Sequence, residues 1–283
     1  MKTLIIALFV WIYNKIKNTK KRETESQMTK LQRRYRRFPR FMFLERLWKG
    51  INYEKEMELL YVLCDSRKTS VDVGAKLGMY SHRLLRHSRN VVAVEPIPLL
   101  VYMLERVFRW RRCRILPCAL SHEAGRALLR VPYGSNGEVK FGRSTIEEGN
   151  KLVHDDIASV EEVEVDVTTL DQHALTNVGF IKIDVEGHEL AVLKGGAETL
   201  LRECPNLLIE ANSHHYPNAV SELHRFLAGF GYEGVFWGPE GLMDYGAIAE
   251  EGYFRSESVE NFMFIHESNP GVRTLLAAHC DRA

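Results

Sequence analysis

VDVGAKLGMYS, residues 71–81, reads as the end of an apolar strand, a glycine turn and the start of a helix. Gly74 and Gly78 let the backbone turn tightly and approach a ligand closely. In an open parallel sheet, such a junction lies beyond the carboxyl ends of the strands, where ligands bind. The flanking sequence repeats the rhythm. Strands are expected at Ser70–Val73, Asn90–Val94, Arg114–Cys118, Phe180–Asp184 and Asn206–Glu210, with a last one at Glu260–His266. Helices are expected at Tyr80–His87, Pro98–Trp110, Glu189–Leu201 and Ala219–Phe230. Met57, Leu60, Tyr61 and Cys64 add helical spacing over 54–65. This alternation implies a mostly parallel sheet with helices on both faces, the α/β, Rossmann-like class. Residues 126–132 and 161–167 instead alternate apolar and polar, as a half-exposed antiparallel pair does. Between them, Tyr133–Asn150 is rich in Gly, Ser and Asn, and a loop of that length inside a domain is usually functional.

The glycine spacing bears on the ligand. A dinucleotide site uses G-x-G-x-x-G to seat a pyrophosphate on the helix N-terminus. Here only G-x-x-x-G is present, and Asp72 stands two places before the first glycine. An acid there repels phosphate and attracts a cation. Glu95 closes the next strand, in VVAVEP, where a carboxylate can accept both hydroxyls of a ribose. A ribose joined to a cationic amino-acid end, with no phosphate, describes S-adenosylmethionine (SAM) better than NAD.

A second group of polar residues is FIKIDVEGHE, residues 180–189. Lys182 and Asp184 alternate with Ile181 and Ile183 on a strand. Asp184, Glu186, His188 and Glu189 then crowd the strand-to-helix turn at the same sheet edge. A base for an acceptor hydroxyl is expected among Asp184, Glu186 and His188, and imidazole is the side chain that titrates near neutrality. Glu186 and Glu189 also favour a helix start by charge. Glu210 ends the following strand, and His214 and His215 follow it. No ligand spacing among these residues demands a metal, so a metal-free site is expected.

On these residues the chain resembles the FkbM-type methyltransferases, SAM-dependent proteins of the class I methyltransferase fold. The resemblance covers about residues 53–237. It rests on Tyr53-Glu54, VDVGAKLGMYS, VVAVEPIP, CALS (118–121), FGRST (141–145), VTTLD (167–171) and, most specifically, IKIDVEGHELAVLKGG (181–196). It implies a seven-stranded sheet whose last strand is antiparallel, and methyl transfer to oxygen on a sugar, glycan or secondary metabolite such as a polyketide. It further implies Asp72, Gly74 and Gly78 near the methionine portion of SAM and Glu95 at its ribose. Ala119 and Leu120 would lie near the adenine and Asp184 near the methyl group, with Tyr80 also counted among the cofactor-binding positions. One departure is Lys76, where the family commonly has Asn. It adds positive charge beside a cationic cofactor, unless it pairs with an acid. A methyltransferase-like scaffold that binds a partner or membrane without turnover is the alternative reading.

Composition is ordinary for a globular protein, with 45% hydrophobic and 27% charged residues over 283. The formal charge of +1 conceals an asymmetry. Residues 1–40 carry 12 Lys+Arg and 2 acids, whereas residues 41–283 carry 26 Lys+Arg and 35 acids. The acidic body argues against a nucleic-acid substrate. Leu4–Tyr13 is an apolar run of ten, too short to span a bilayer unaided. With the basic residues behind it, residues 1–40 read as a leader that could meet an anionic membrane. The expected division is this leader, a methyltransferase domain at 41–270 and a tail at 271–283. Five cysteines without a C-x-x-C pair favour a reducing, cytoplasmic setting, with membrane association through the N-terminal segment as an option.

Overall fold

A computed structural model describes residues 29–51, 53–152, 155–211, 218–238, 241–247 and 260–280. The apolar run Leu4–Tyr13, the first part of the basic leader, and His214 and His215 lie outside them.

The strands, in chain order, are β1 (Thr69–Val73), β2 (Asn90–Val94), β3 (Cys113–Leu116), β4 (Ala119–Leu120), β5 (Gly125–Tyr133), β6 (Ser159–Thr168), β7 (Val178–Ile183), β8 (Asn206–Glu210), β9 (Tyr232–Gly238), β10 (Gly241–Asp244) and β11 (Asn261–His266). Eight of them form one sheet in the order β10-β9-β11-β8-β7-β1-β2-β3. The run from β8 to β3 is parallel, and β11 lies antiparallel to both β8 and β9. The antiparallel last strand agrees with expectation. The count of seven does not, because β10 folds back on β9 as an eighth. β10 has four residues at the sheet edge and buries little, so its sequence carries no clear alternation.

Side-chain alternation builds two cores. Val71, Val73, Ile181, Ile183, Leu207 and Ile209 face one layer of helices. Phe180, Leu208, Val91 and Met263 face the other. Both faces are therefore covered, as a parallel sheet requires.

The helices are α1 (Lys30–Arg37), α2 (Pro39–Lys49), α3 (Leu60–Leu63), α4 (Met79–His87), α5 (Pro98–Phe108), α6 (Glu189–Lys194), α7 (Ala197–Glu203), α8 (Ala219–Ala228) and α9 (Pro270–Cys280). The spacing over 54–65 resolves into a 3-10 turn, Lys55–Leu59, followed by α3. The helix expected over 189–201 breaks at Gly195-Gly196. A Cβ on Gly195 would collide with the Ser121 carbonyl, and one on Gly196 would lie 2.8 Å from Leu170 Cδ2. The chain uses these glycines to pass under the β4 region.

The antiparallel pair is β5 with β6, in register Leu129↔Val163 and Arg126↔Asp166, with β4 added in parallel to β6. Leu129, Val131, Val165 and Val167 pack on Leu100 and Met103 of α5 and on Tyr35 of α1. Tyr35 is 1% exposed and its hydroxyl accepts two hydrogen bonds from Arg46. The charged stretch from Lys30 is thus docked on the body by Tyr35, with Leu31 and a Gln32–Tyr133 hydrogen bond beside it, a signal that its surrounding arginines mask in sequence. Leu276 of α9 is likewise fully buried.

Candidate active site

β1, β2 and β7 end side by side, and their register sets Asp72 beside Lys182 on β7. After β1 the backbone reverses through Gly74 (φ 77°), Lys76 (φ 50°) and Gly78 (φ 81°) into α4. A Cβ on Gly74 would collide with the Asp184 carbonyl, and one on Gly78 would lie 2.7 Å from Leu104 and Phe108 side-chain atoms. Both glycines are demanded by internal packing as well as by the turn. The loop is pinned to β2 by the Gly74 and Ala75 amides, both donating to the Val94 carbonyl at 3.0 Å.

Glu95 ends β2 as a rigid acceptor. Its two oxygens take the Lys76 and Ile97 amides at 2.8 Å each. Burial, opposed by those amides, pushes its carboxyl up to about 7. A carboxylate offers about four acceptor positions, so two remain for a ligand. Asp72 lies beneath the loop. Ser81 Oγ donates to its Oδ2 at 2.6 Å, while its buried Oδ1 has no partner among the described residues. Burial raises its pKa, against the pull of Lys182.

Asp184 is the electrostatic centre. Lys76 Nζ donates to its Oδ1 at 2.8 Å and Lys182 Nζ to its Oδ2 at 2.6 Å. Burial would raise this carboxyl, but the two ammonium groups hold it well below the usual carboxylate range. Lys76 also reaches Glu186 Oε1 at 3.3 Å. Asp184, Glu186 and Glu210 bring one oxygen each within 4.8 Å of the others. The ammonium of Lys76 already bonds two of the three, so a metal ion there would have to displace it. Burial and the Asp184 charge push Glu210 up to about 9. Lys182 further stacks over the Tyr80 ring at 4.5 Å, and Tyr80 donates to Glu54 at 2.6 Å.

The segment Phe141–Asn150 after β5 is docked on the turn that follows β7. Thr145 Oγ1 and Asn150 Nδ2 both donate to the Glu186 carbonyl at 3.0 Å, which holds Glu186 at φ 58°. Glu147 Oε2 lies 2.8 Å from His188 Nδ1, and Ser121 Oγ lies 2.9 Å from His188 Nε2. A carboxylate can only accept, so Nδ1 carries the proton and, in the neutral ring, Nε2 accepts from Ser121. Glu189 accepts from the Gly187 amide at 2.9 Å and closes the turn, consistent with a helix-start role.

A cleft of about 500 Å3, counting space open to solvent, runs along this edge. Of the expected site residues, Gly74, Glu95, Ala119, Leu120, Asp184 and His188 line it. Asp72, Gly78, Tyr80 and Glu186 do not line it, and they support it from behind. Val94, Ile97, Leu129 and Phe141 give it an apolar shelf beside Glu95. Sequence reasoning missed Glu147 and Ser121, the partners of His188. Ser121 stood in the CALS motif without a role. Glu147 lies 41 positions from His188, and no spacing rule connects them.

A family model for the methyltransferase FkbM domain matches residues 72–233. No curated protein matches the chain. Among solved structures, the chain is similar to a methyltransferase FkbM from Methylobacillus flagellatus KT, with TM-score 0.46 and 18% identity over 73% of this chain and 48% of that one. The chain thus spans about half the length of that protein. It is similar to a putative methyltransferase from Streptococcus mutans in complex with SAH, with TM-score 0.39 and 10% identity over 74% and 94%. A third similar structure is an rRNA methylase from Streptococcus thermophilus, with TM-score 0.38 and 9% identity over 74% and 91%.

Proposed function

The chain belongs to the FkbM methyltransferase family, and from that premise we propose that its cleft binds SAM and that it methylates a hydroxyl on a sugar, glycan or secondary metabolite. The observation that carries the reading is one cleft with Glu95 and Asp184 on its wall and an apolar shelf beside Glu95. The donor set fits the cofactor. Glu95 has acceptor positions left for two ribose hydroxyls, and Ala119, Leu120 and Ile97 offer a flat apolar surface to a purine. Lys76 and Asp184 form an ion pair whose two ends are complementary to the zwitterionic amino-acid end of the ligand. Bound there, SAM supplies an electrophilic methyl group on a positively charged sulfur.

The chain's own residues then do three things. The docked loop from Phe141 to Asn150 covers the cleft and excludes water. Glu95, Asp184 and Lys76 fix the two ends of the ligand, so that proximity and orientation lower the barrier. His188, held by Glu147, takes the acceptor proton at Nε2 once the acceptor hydroxyl replaces Ser121.

The test is a screen of purified protein with methyl-labelled SAM against hydroxylated sugars, glycans and small metabolites, read by mass. A product heavier by the labelled methyl group less one hydrogen supports the reading. SAM binding without any product across the panel favours the scaffold alternative.

A further inference from the structure

Helix α2 shows an apolar stripe to solvent. Phe41, Leu44 and Trp48 recur at i, i+3 and i+7, and are 61%, 61% and 86% exposed. Phe38 and Ile51 extend the stripe at either end. The opposite face of α2 is already used, since Met42 and Phe43 are buried and Phe43 packs edge-on against Phe108. The stripe is therefore a second apolar face, beyond what the fold requires. Trp110, 80% exposed, follows Phe108 by two residues. The end of α5 that leads into it is tied to α2 by Arg40 Nε donating to the Arg106 carbonyl at 2.9 Å. Single exposed apolar residues are ordinary, whereas a contiguous aromatic patch marks an interaction surface.

Charge selects the partner. From Lys30 to Lys49 there are eight Lys and Arg against one acid, Glu45. That acid is engaged by Lys49 at 2.7 Å and Arg34 at 3.6 Å. Arg109, Arg111 and Arg112 surround Trp110, with the Arg109 guanidinium 4.9 Å from its ring centroid. The chain beyond residue 40 is acidic overall, so basic charge gathers where the exposed aromatics are. Exposed tryptophans framed by arginines suit a surface that is apolar beneath and anionic on top. In the sequence, Leu4–Tyr13 and the five basic residues Lys15–Arg22 precede this segment. No described helix is long and apolar enough to cross a membrane, so the contact would be made along a surface.

We infer that the exposed face of α2, with Trp110, docks on an anionic lipid bilayer. Phe41, Leu44 and Trp48 insert among the headgroups, and the exposed Arg33 and Arg37 of α1 and Arg109 and Arg111 of the turn after α5 pair with lipid phosphates and carboxylates.

The experiment is sedimentation of the full chain with vesicles of phosphatidylcholine, alone or mixed with phosphatidylserine. The comparison is a triple variant, Phe41→Ser, Leu44→Ser and Trp48→Ser, whose sites are exposed. Wild type is expected to sediment with the mixed vesicles and much less with phosphatidylcholine alone. The triple variant is expected to lose affinity by about tenfold for each removed side chain, with an unchanged melting temperature. Equal partitioning of variant and wild type would overturn the assignment, as would a wild type indifferent to phosphatidylserine. Light scattering that showed a wild-type dimer dissolved by the triple substitution would assign the face to a second copy of the chain and overturn it too.

Discussion

Lys76→Met removes the ammonium at the centre of the site and keeps most of the aliphatic stem. Without ligand, Asp184 loses its 2.8 Å partner and keeps Lys182 at 2.6 Å, while Glu186 loses its 3.3 Å partner. Losing one partner of a fully buried pair costs roughly 3–5 kcal/mol and an exposed pair is worth about 0–1 kcal/mol. The Lys76 side chain is 27% exposed, which puts it between these limits. The variant should therefore lose about 2 kcal/mol, a fall in melting temperature of roughly 4–8 °C. Binding separates the two things Lys76 can do. If it pairs with the ligand carboxylate, the variant should bind S-adenosylhomocysteine (SAH) roughly tenfold to a hundredfold more weakly. Binding of 5′-methylthioadenosine, which has no amino-acid end, should stay within about twofold. Calorimetric titration of both proteins with both ligands gives the answer. An equal loss for the two ligands, or no loss for SAH, would refute the zwitterion pairing. Tighter binding of SAM with unchanged SAH would show instead that Lys76 acts only by repelling the sulfonium.

Three further outcomes are expected. Gly74→Ala should cost about 2–5 kcal/mol in urea denaturation, because its Cβ meets the Asp184 carbonyl at a positive φ; a cost below about 1 kcal/mol would contradict the packing described. Glu210 is held up at about 9 when folded against an ordinary 4.5, so the folded chain keeps a proton that the unfolded chain releases. Stability should therefore fall as pH rises from about 5 toward 9, and Glu210→Gln should flatten that fall in melting temperature. An unchanged slope would show that Glu210 titrates normally. His188→Gln should lower kcat by about a hundredfold or more with SAH affinity retained, and Glu147→Gln should lower it by about tenfold; wild-type turnover in the His188 variant would remove it as the base.

The sheet was legible because both of its faces are covered, so strands such as Val91–Val94 and Leu207–Ile209 stand out as short apolar runs closed by Glu95 and Glu210. The hairpin strands β9 and β10 and the helices α1, α2 and α9 were not. β10 buries too little to leave a pattern, and α1 is joined to the core by Tyr35 among arginines. Within the site, residues at strand ends could be found because the fold itself brings those ends together. That logic reached Glu95, Asp184 and His188. It did not reach Glu147, Ser121, Thr145 or Asn150, which arrive through loop geometry. It also did not separate cleft wall from support. Asp72 reads in sequence as a ligand acid, yet it lies behind the glycine loop with Ser81. Lys76 read as an anomaly, and its charge is met by Asp184 and Glu186.

The central claim is that the cleft bounded by Glu95 holds the nucleoside of SAM. Calorimetric titration of wild type and Glu95→Ala with SAH tests it most directly. Wild type should bind one SAH per chain, and Glu95→Ala should bind it about tenfold or more weakly with its fold intact. No heat from the wild type at millimolar SAH, or equal affinity in the two proteins, would contradict the account.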